Sequence, residues 1–123
     1  MYKYNSTHKI ITVLLVVGWA IWQFSGRSES LYYDNGQAIR SGEIINNEKE
    51  GIWIWYHKNG KENIRGFFKN GNREGTWQTF DSTGLLIQEK EFKNDELNGE
   101  IRVFNEDGSV SKVVLYKDNR PVD

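Results

Sequence analysis

A 24-residue frame that returns three times without a gap constrains this chain more than any other feature of it. The segments GIWIWYHKNGKENIRGFFKNGNRE, GTWQTFDSTGLLIQEKEFKNDELN and GEIRVFNEDGSVSKVVLYKDNRPV superpose residue for residue. Gly51, Gly75 and Gly99 lead them, with Trp53, Trp77 and Ile101 two positions on. Tyr56, Phe80 and Phe104 follow five positions after the lead, and Gly60, Gly84 and Gly108 nine after it. Phe68, Phe92 and Tyr116 recur late in each unit, before Lys69, Lys93 and Lys117 and then Asn70, Asn94 and Asp118. A partial copy, LYYDNGQAIRSGEIINN, aligns Tyr32 with Tyr56, Gly36 with Gly60 and Ile44 with Phe68. A fixed period of this length marks a repeat architecture whose units pack chiefly on their neighbours.

The chemistry of one unit is that of a hairpin. Aromatic and β-branched residues fill two short runs, and each run ends in turn residues: KNG, STG and EDG after the first, KNG or KND after the second. Asn or Asp before Gly tolerates the positive φ of tight hairpin turns. The fold class expected is therefore all-β, an antiparallel meander of repeated hairpins. Trp53 and Tyr56 stand three positions apart, so strict pleating sends them to opposite faces. Either a bulge between them or a sheet covered on both sides is required. Rings that recur in register read as packing, each removing roughly 150–250 Å² from water when buried. Trp55 differs, because its counterparts are Thr79 and Val103. An aromatic that the frame does not demand is the candidate for an exposed partner contact, together with His57 and Lys58 on the adjoining turn.

The frame G-x-W-x-x-[YF]-x-x-x-G, followed by [FY]-[KN]-[ND]-[GD], resembles the bacterial variant of the MORN repeat, the form known from antitoxin-like proteins of toxin–antitoxin systems. The resemblance covers 31–123, as a partial unit at 31–50 and units at 51–74, 75–98 and 99–123. It implies an elongated single-layer sheet of hairpins that serves as a scaffold. Ile101 departs from the pattern, and Asp95 and Asn119 replace the turn glycine of Asn70-Gly71, so the C-terminal units are expected to be the less regular ones.

The first thirty residues are of another kind. Lys, Arg, Asp and Glu are absent from Ile10 through Gly26, whereas the chain after Gly26 carries all 17 acidic and 14 of the 16 basic residues. As a helix, such an uncharged stretch rises about 25 Å at ~1.5 Å per residue, within the range that spans a bilayer. Lys3 and Lys9 precede it without an acid, which places residues 1–9 in the cytoplasm, 10–26 as a transmembrane anchor, 27–30 as a linker and the repeats outside. The competing reading is a cleaved signal peptide and a secreted domain; the small residues of FSGRS form a poor cleavage pattern. The chain has no cysteine, so export leaves no disulfide framework.

No residue set proposes a reaction or a cofactor. His8 and His57 are the only histidines, too few for a zinc site in an exported domain without cysteine. The carboxylate pairs Glu48/Glu50, Glu89/Glu91, Asp95/Glu96 and Glu106/Asp107 stand beside lysines in turns or on alternating strand positions, as solvated edge charges do. GSVSK around Ser109 has no base to serve it, and GKENIRG lacks phosphate-loop spacing. Net charge after Gly26 is −3, from 14 basic and 17 acidic residues, and the signs read as interspersed, which argues against nucleic acid. The function expected is a membrane-tethered module for protein–protein interaction, its partner a toxin or an envelope component. The alternative is a carbohydrate- or wall-binding surface built on Trp53, Trp55 and Trp77.

Overall fold

The computed structural model describes residues 14–19, 21 and 26–122, apart from the side chains of residues 27, 29 and 30. One open sheet of nine antiparallel strands follows chain order from end to end. The strands are β1 (Arg27–Tyr32), β2 (Ala38–Ile45), β3 (Glu48–Tyr56), β4 (Glu62–Lys69), β5 (Asn72–Phe80), β6 (Leu86–Lys93), β7 (Glu96–Phe104), β8 (Val110–Lys117) and β9 (Arg120–Pro121). At ~4.8 Å per strand, the sheet measures about 38 Å across its strands. The expected linker at 27–30 is instead part of β1, which pairs with β2 from Arg27↔Ile44 onward. Arg27 lies one period before Gly51, so the partial unit is a complete one whose first residues carry no aromatic signal. Backbone pairing needs none.

Residues 14–19 and 21 are helical. Among the described residues, no helix is long and apolar enough to cross a membrane. The segment 1–9 lies outside the described residues, as does most of the expected anchor, at 10–13, 20 and 22–25.

Two kinds of turn alternate. Two-residue turns fall at 46–47, 70–71, 94–95 and 118–119, five-residue loops at 33–37, 57–61, 81–85 and 105–109. In the short turns every central residue has positive φ, including Asp95 at 69° and Asn119 at 63° beside Gly71 at 79°. The expected irregularity of the C-terminal turns does not occur, because Asn and Asp enter the left-handed region more readily than other side chains. What thins out towards the C-terminus is burial: Val110, Val113 and Leu115 of β8 are about half exposed.

The spacing of Trp53 and Tyr56 is met by strict pleating: no bulge falls between them and, among the described residues, no second layer covers the sheet, so the two rings stand on opposite faces, and the bulge lies in the partner strand. Trp55 pairs with Ile64 and Tyr56 with Glu62, so β4 carries one extra residue, Asn63, in a bulge opposite an unbroken β3. The same shift recurs at Leu31/Tyr32, Thr79/Phe80 and Val103/Phe104. Because β3 keeps its pleat, Trp53 and Trp55 stand on one face and Tyr56 on the other, where its hydroxyl lies 3.1 Å from Ser41 Oγ. The ring frame is thus split between two faces, here named the tryptophan face and the glutamate face.

A second, wider irregularity explains the leading glycines. Arg65 pairs with Gln78 but Phe67 with Glu74, so two steps on β4 meet four on β5. Gly75 lies within the longer arm at φ 71°, and Gly51 occupies the same place in β3 at φ 73°. Each arm carries its tryptophan back over the preceding strand: a Cβ built on Gly42 would enter the Trp53 indole, and one on Gly66 the Trp77 indole. In the third unit Ile101 replaces the ring, and Lys90 stands where the glycine would be.

With no second layer, the rings on the tryptophan face cover one another. Phe68 meets Trp53 and Trp77 edge-on at 6.1 and 5.1 Å between centroids, and Trp77 meets Phe92 at 5.8 Å. Lys49 Nζ lies 4.9 Å from the Trp53 ring centroid, 5.6 Å from Trp55 and 5.1 Å from Phe68, its stem covering apolar surface as long cationic side chains do. Trp53 is wholly buried as a result, and Phe68 and Phe92 nearly so. The two equivalent indoles differ in burial, Trp77 being only partly covered, and in hydrogen bonding. Trp53 Nε1 donates to the Glu43 carbonyl at 3.1 Å, while Trp77 Nε1 is buried without an acceptor among the described residues. Trp53→Phe breaks a hydrogen bond, whereas Trp77→Phe removes a buried donor that has none. Urea unfolding is expected to show Trp77→Phe as the milder change by ~1 kcal/mol or more; equal costs would mean that Trp77 finds an acceptor in solution.

Candidate functional site

Trp55, His57 and Lys58 stand in three different settings at the end of β3 and in the loop after it. Trp55 is half-buried within the ring ladder, 6.0 Å from Trp53 and 5.7 Å from Trp77 between centroids. It is a link in the ladder, not a ring set apart from it. His57 opens a long loop, and its Nε2–H donates to the Phe80 carbonyl at 3.0 Å. One period earlier, the Tyr33 hydroxyl donates to the Tyr56 carbonyl at 3.0 Å, so His57 repeats a tie between successive units. Lys58 is exposed, 4.0 Å from Asp34, in an ion pair of the kind that contributes little. The sugar-stacking alternative loses Trp53, which presents no open ring face.

Both rims of the sheet are laced in the same manner. Asn35 Nδ2 donates to the Lys58 carbonyl at 2.9 Å and Asn59 Nδ2 to the Ser82 carbonyl at 2.7 Å, each joining one long loop to the next. Within its loop, Asp81 accepts from the Thr83 hydroxyl and from three backbone amides, which together hold its carboxyl below the ordinary aspartate range. On the opposite rim, Glu50 accepts from the Asn70 amide at 2.8 Å and Glu74 from the Asn94 amide at 2.9 Å. Arg73 reaches Asp95 at 2.6 Å and lowers its pKa. The polar residues of the turns are thus occupied either in joining units, as Asn35, Asn59, Glu50 and Glu74 are, or in shaping their own loop, as Asp81 and Asp107 are.

The charges, which read as interspersed along the sequence, segregate by face. Neighbours such as Lys49 and Glu50, Arg73 and Glu74, or Glu89, Lys90 and Glu91 point to opposite sides of a pleated strand. From β2 to β8, register places Arg40, Lys49, Arg73, Lys90 and Lys112 on the tryptophan face without a carboxylate. The opposite face takes Glu43, Glu50, Glu62, Glu74, Glu89, Glu91 and Glu100, with Arg65 and Arg102 among them and Lys69 and Lys93 at the rim. Arg65 is engaged by Glu62, which raises the guanidinium pKa and lowers that of the carboxyl; Arg102 is engaged by Glu100.

The glutamate face also holds an apolar pair that the sequence reading passed over. Ile52 is 57% exposed and Phe67 41%, and they are direct cross-strand partners in β3 and β4. Their counterparts are Thr76 and Glu100 for Ile52, and Glu91 and Leu115 for Phe67. The signal was present in the sequence. The test applied to Trp55, an apolar residue where the frame tolerates a polar one, selects Ile52 and Phe67 equally well. Only the pleat tells that Trp55 faces the ladder and these two face solvent.

Comparison with known proteins bears on the middle of the sheet. No curated protein matches the chain. Residues 49–70 and 73–94 each match the MORN repeat variant, two copies set 24 positions apart that span β3 to β6 with the buried rings between them.

Proposed function

We propose that the chain is a protein-interaction module whose contact surface is the glutamate face around Ile52 and Phe67, held at a membrane by the apolar stretch Ile10–Gly26. MORN repeats generally serve as protein- and membrane-interaction modules. The observation that carries the reading is the exposed pair itself. Covering an apolar side chain of this size is worth ~1.5–3 kcal/mol when complete, and a few such residues dominate binding energy at an interface. A toxin that the module neutralises, or an envelope component that it holds, is the partner class that the repeat frame suggests. Ile52→Ser with Phe67→Ser is expected to release a partner that wild-type protein retains from source-cell extract, with thermal unfolding little changed. Equal recovery of that partner by both proteins would count against the surface.

The tether rests on a separate observation. Leu14, Leu15, Val16, Trp19 and Ile21 are between 59% and 69% exposed, on a helical segment that is apolar all round. Such a helix needs an apolar environment on every side. After alkaline extraction the chain is expected to stay with membranes, and its sheet to be open to protease from the non-cytoplasmic side. A soluble mature chain beginning near Arg27 would support cleavage instead.

A further inference from the structure

The row of the glutamate face that holds Phe67 continues across the sheet to a second apolar group. Register carries it from Phe67 through Glu74 and Thr76, Glu91 and Glu100 to Leu115. Leu115 is 48% exposed and its neighbour on the same face, Val113, 51%. From β4 to β8 is four strand spacings, about 19 Å. An apolar group thus stands at each end of a carboxylate row.

Two of the carboxylates between them, Glu74 and Glu91, are held by backbone amides and, among the described residues, have no cation in direct contact. Glu74 and Glu91 accept from the backbone amides of Asn94 and Glu100, at 2.9 and 3.0 Å. Among the described residues neither forms a direct ion pair: Arg65 is engaged by Glu62, and Arg102 contacts Glu100 and Glu89 and feels Glu91 only at longer range. Lys69 and Lys93 lie one step out at the rim, paired across strands with Asn72 and Glu96.

The backbone of β4 to β7 is paired with a neighbour on both sides, so an extended segment laid over this face would find no partner for its own amides. A helix arrives with its amides satisfied and covers about 19 Å in roughly 13 residues. We infer that the glutamate face docks a cationic amphipathic helix of a protein partner, laid across the strands. Its apolar side chains rest on Ile52/Phe67 at one end and on Val113/Leu115 at the other, and Lys or Arg side chains between them meet Glu74 and Glu91. The inference rests on the reading of Ile52 and Phe67 as the contact surface and names what that surface receives.

The test uses the full chain and a labelled amphipathic helix of leucine and lysine, with a leucine–glutamate helix of the same apolar pattern beside it, read by fluorescence anisotropy. The lysine helix is expected to bind and the glutamate helix not to. Glu74→Gln with Glu91→Gln is expected to weaken binding about tenfold, roughly 1.4 kcal/mol, while the amide oxygens still accept the Asn94 and Glu100 bonds. Glu106→Gln, in a long loop, is the control that leaves binding unchanged. If Ile52→Ser/Phe67→Ser abolishes binding but the glutamine pair does not, the contact surface stands and its cationic occupant falls. Equal binding of both helices, or binding indifferent to all of these variants, overturns both. Self-association of the chain that the glutamine pair abolishes would place a second copy's cationic tryptophan face on this surface and overturn the helix.

Discussion

Trp53→Ala is expected to cost the sheet about 3–5 kcal/mol, the range for removing a large aromatic from a packed interior. Trp53 is the one large side chain among the described residues with no exposure at all. Its indole lies over Gly42 on β2, is met edge-on by Phe68, and is covered by Lys49 and Trp55, so truncation opens a cavity bounded by three strands. A single-layer sheet has no second layer to collapse into the gap. Loss should also be local before it is global, since repeat arrays draw stability from nearest-neighbour interfaces. Trp53 is the ring that fastens β2 to β3, so hydrogen exchange in β1 and β2 should accelerate before that in β5 to β7. Trp55→Ala, which removes a half-buried ring from the same ladder, should cost less. A loss under ~1 kcal/mol for Trp53→Ala, or uniform acceleration along the chain, would show that the ladder does not carry the sheet.

The meander and its units were legible because they rest on local chemistry: turn residues at fixed intervals and apolar residues between them. The period placed every frame glycine and every frame ring before any strand was known. Two things were not legible. The faces could not be assigned, because each unit contains two register shifts and a bulge in one strand leaves no mark on the residues opposite it. Trp55 was therefore set apart from a ladder to which it belongs, and the charges of Lys49, Glu50, Arg73 and Glu74 were read as mixed when the pleat sorts them. The other omission is Gly42 and Gly66. They recur at the period, yet Lys90 breaks the series, and only the position of the indoles shows that Lys90 and Ile101 depart together. That joint departure is a statement about space, and it can be tested as one.

Gly66→Ala is expected to destabilise the sheet by roughly 1–3 kcal/mol, the cost of forcing a methyl group into a packed contact. The atoms that it would meet are those of the Trp77 indole, held between Phe68 and Phe92, so the ring cannot simply swing aside. In a Trp77→Ile background, which copies the third unit, the same substitution should become neutral or mildly stabilising. With the ring gone a Cβ has room, and alanine loses less backbone entropy on folding than glycine does. The double-mutant cycle should therefore give a coupling of ~1–2 kcal/mol, well beyond the ~0.5 kcal/mol within which independent sites add. Gly75 supplies the contrast. Nothing lies within 4 Å of a Cβ built there, but its φ is 71°, so Gly75→Ala is strained by conformation and not by space. Its cost should be the same with tryptophan or isoleucine at position 77. Additive costs for the Gly66 and Trp77 changes would mean that the glycine is kept for its backbone, as Gly75 is, and that the link between Lys90 and Ile101 is accidental.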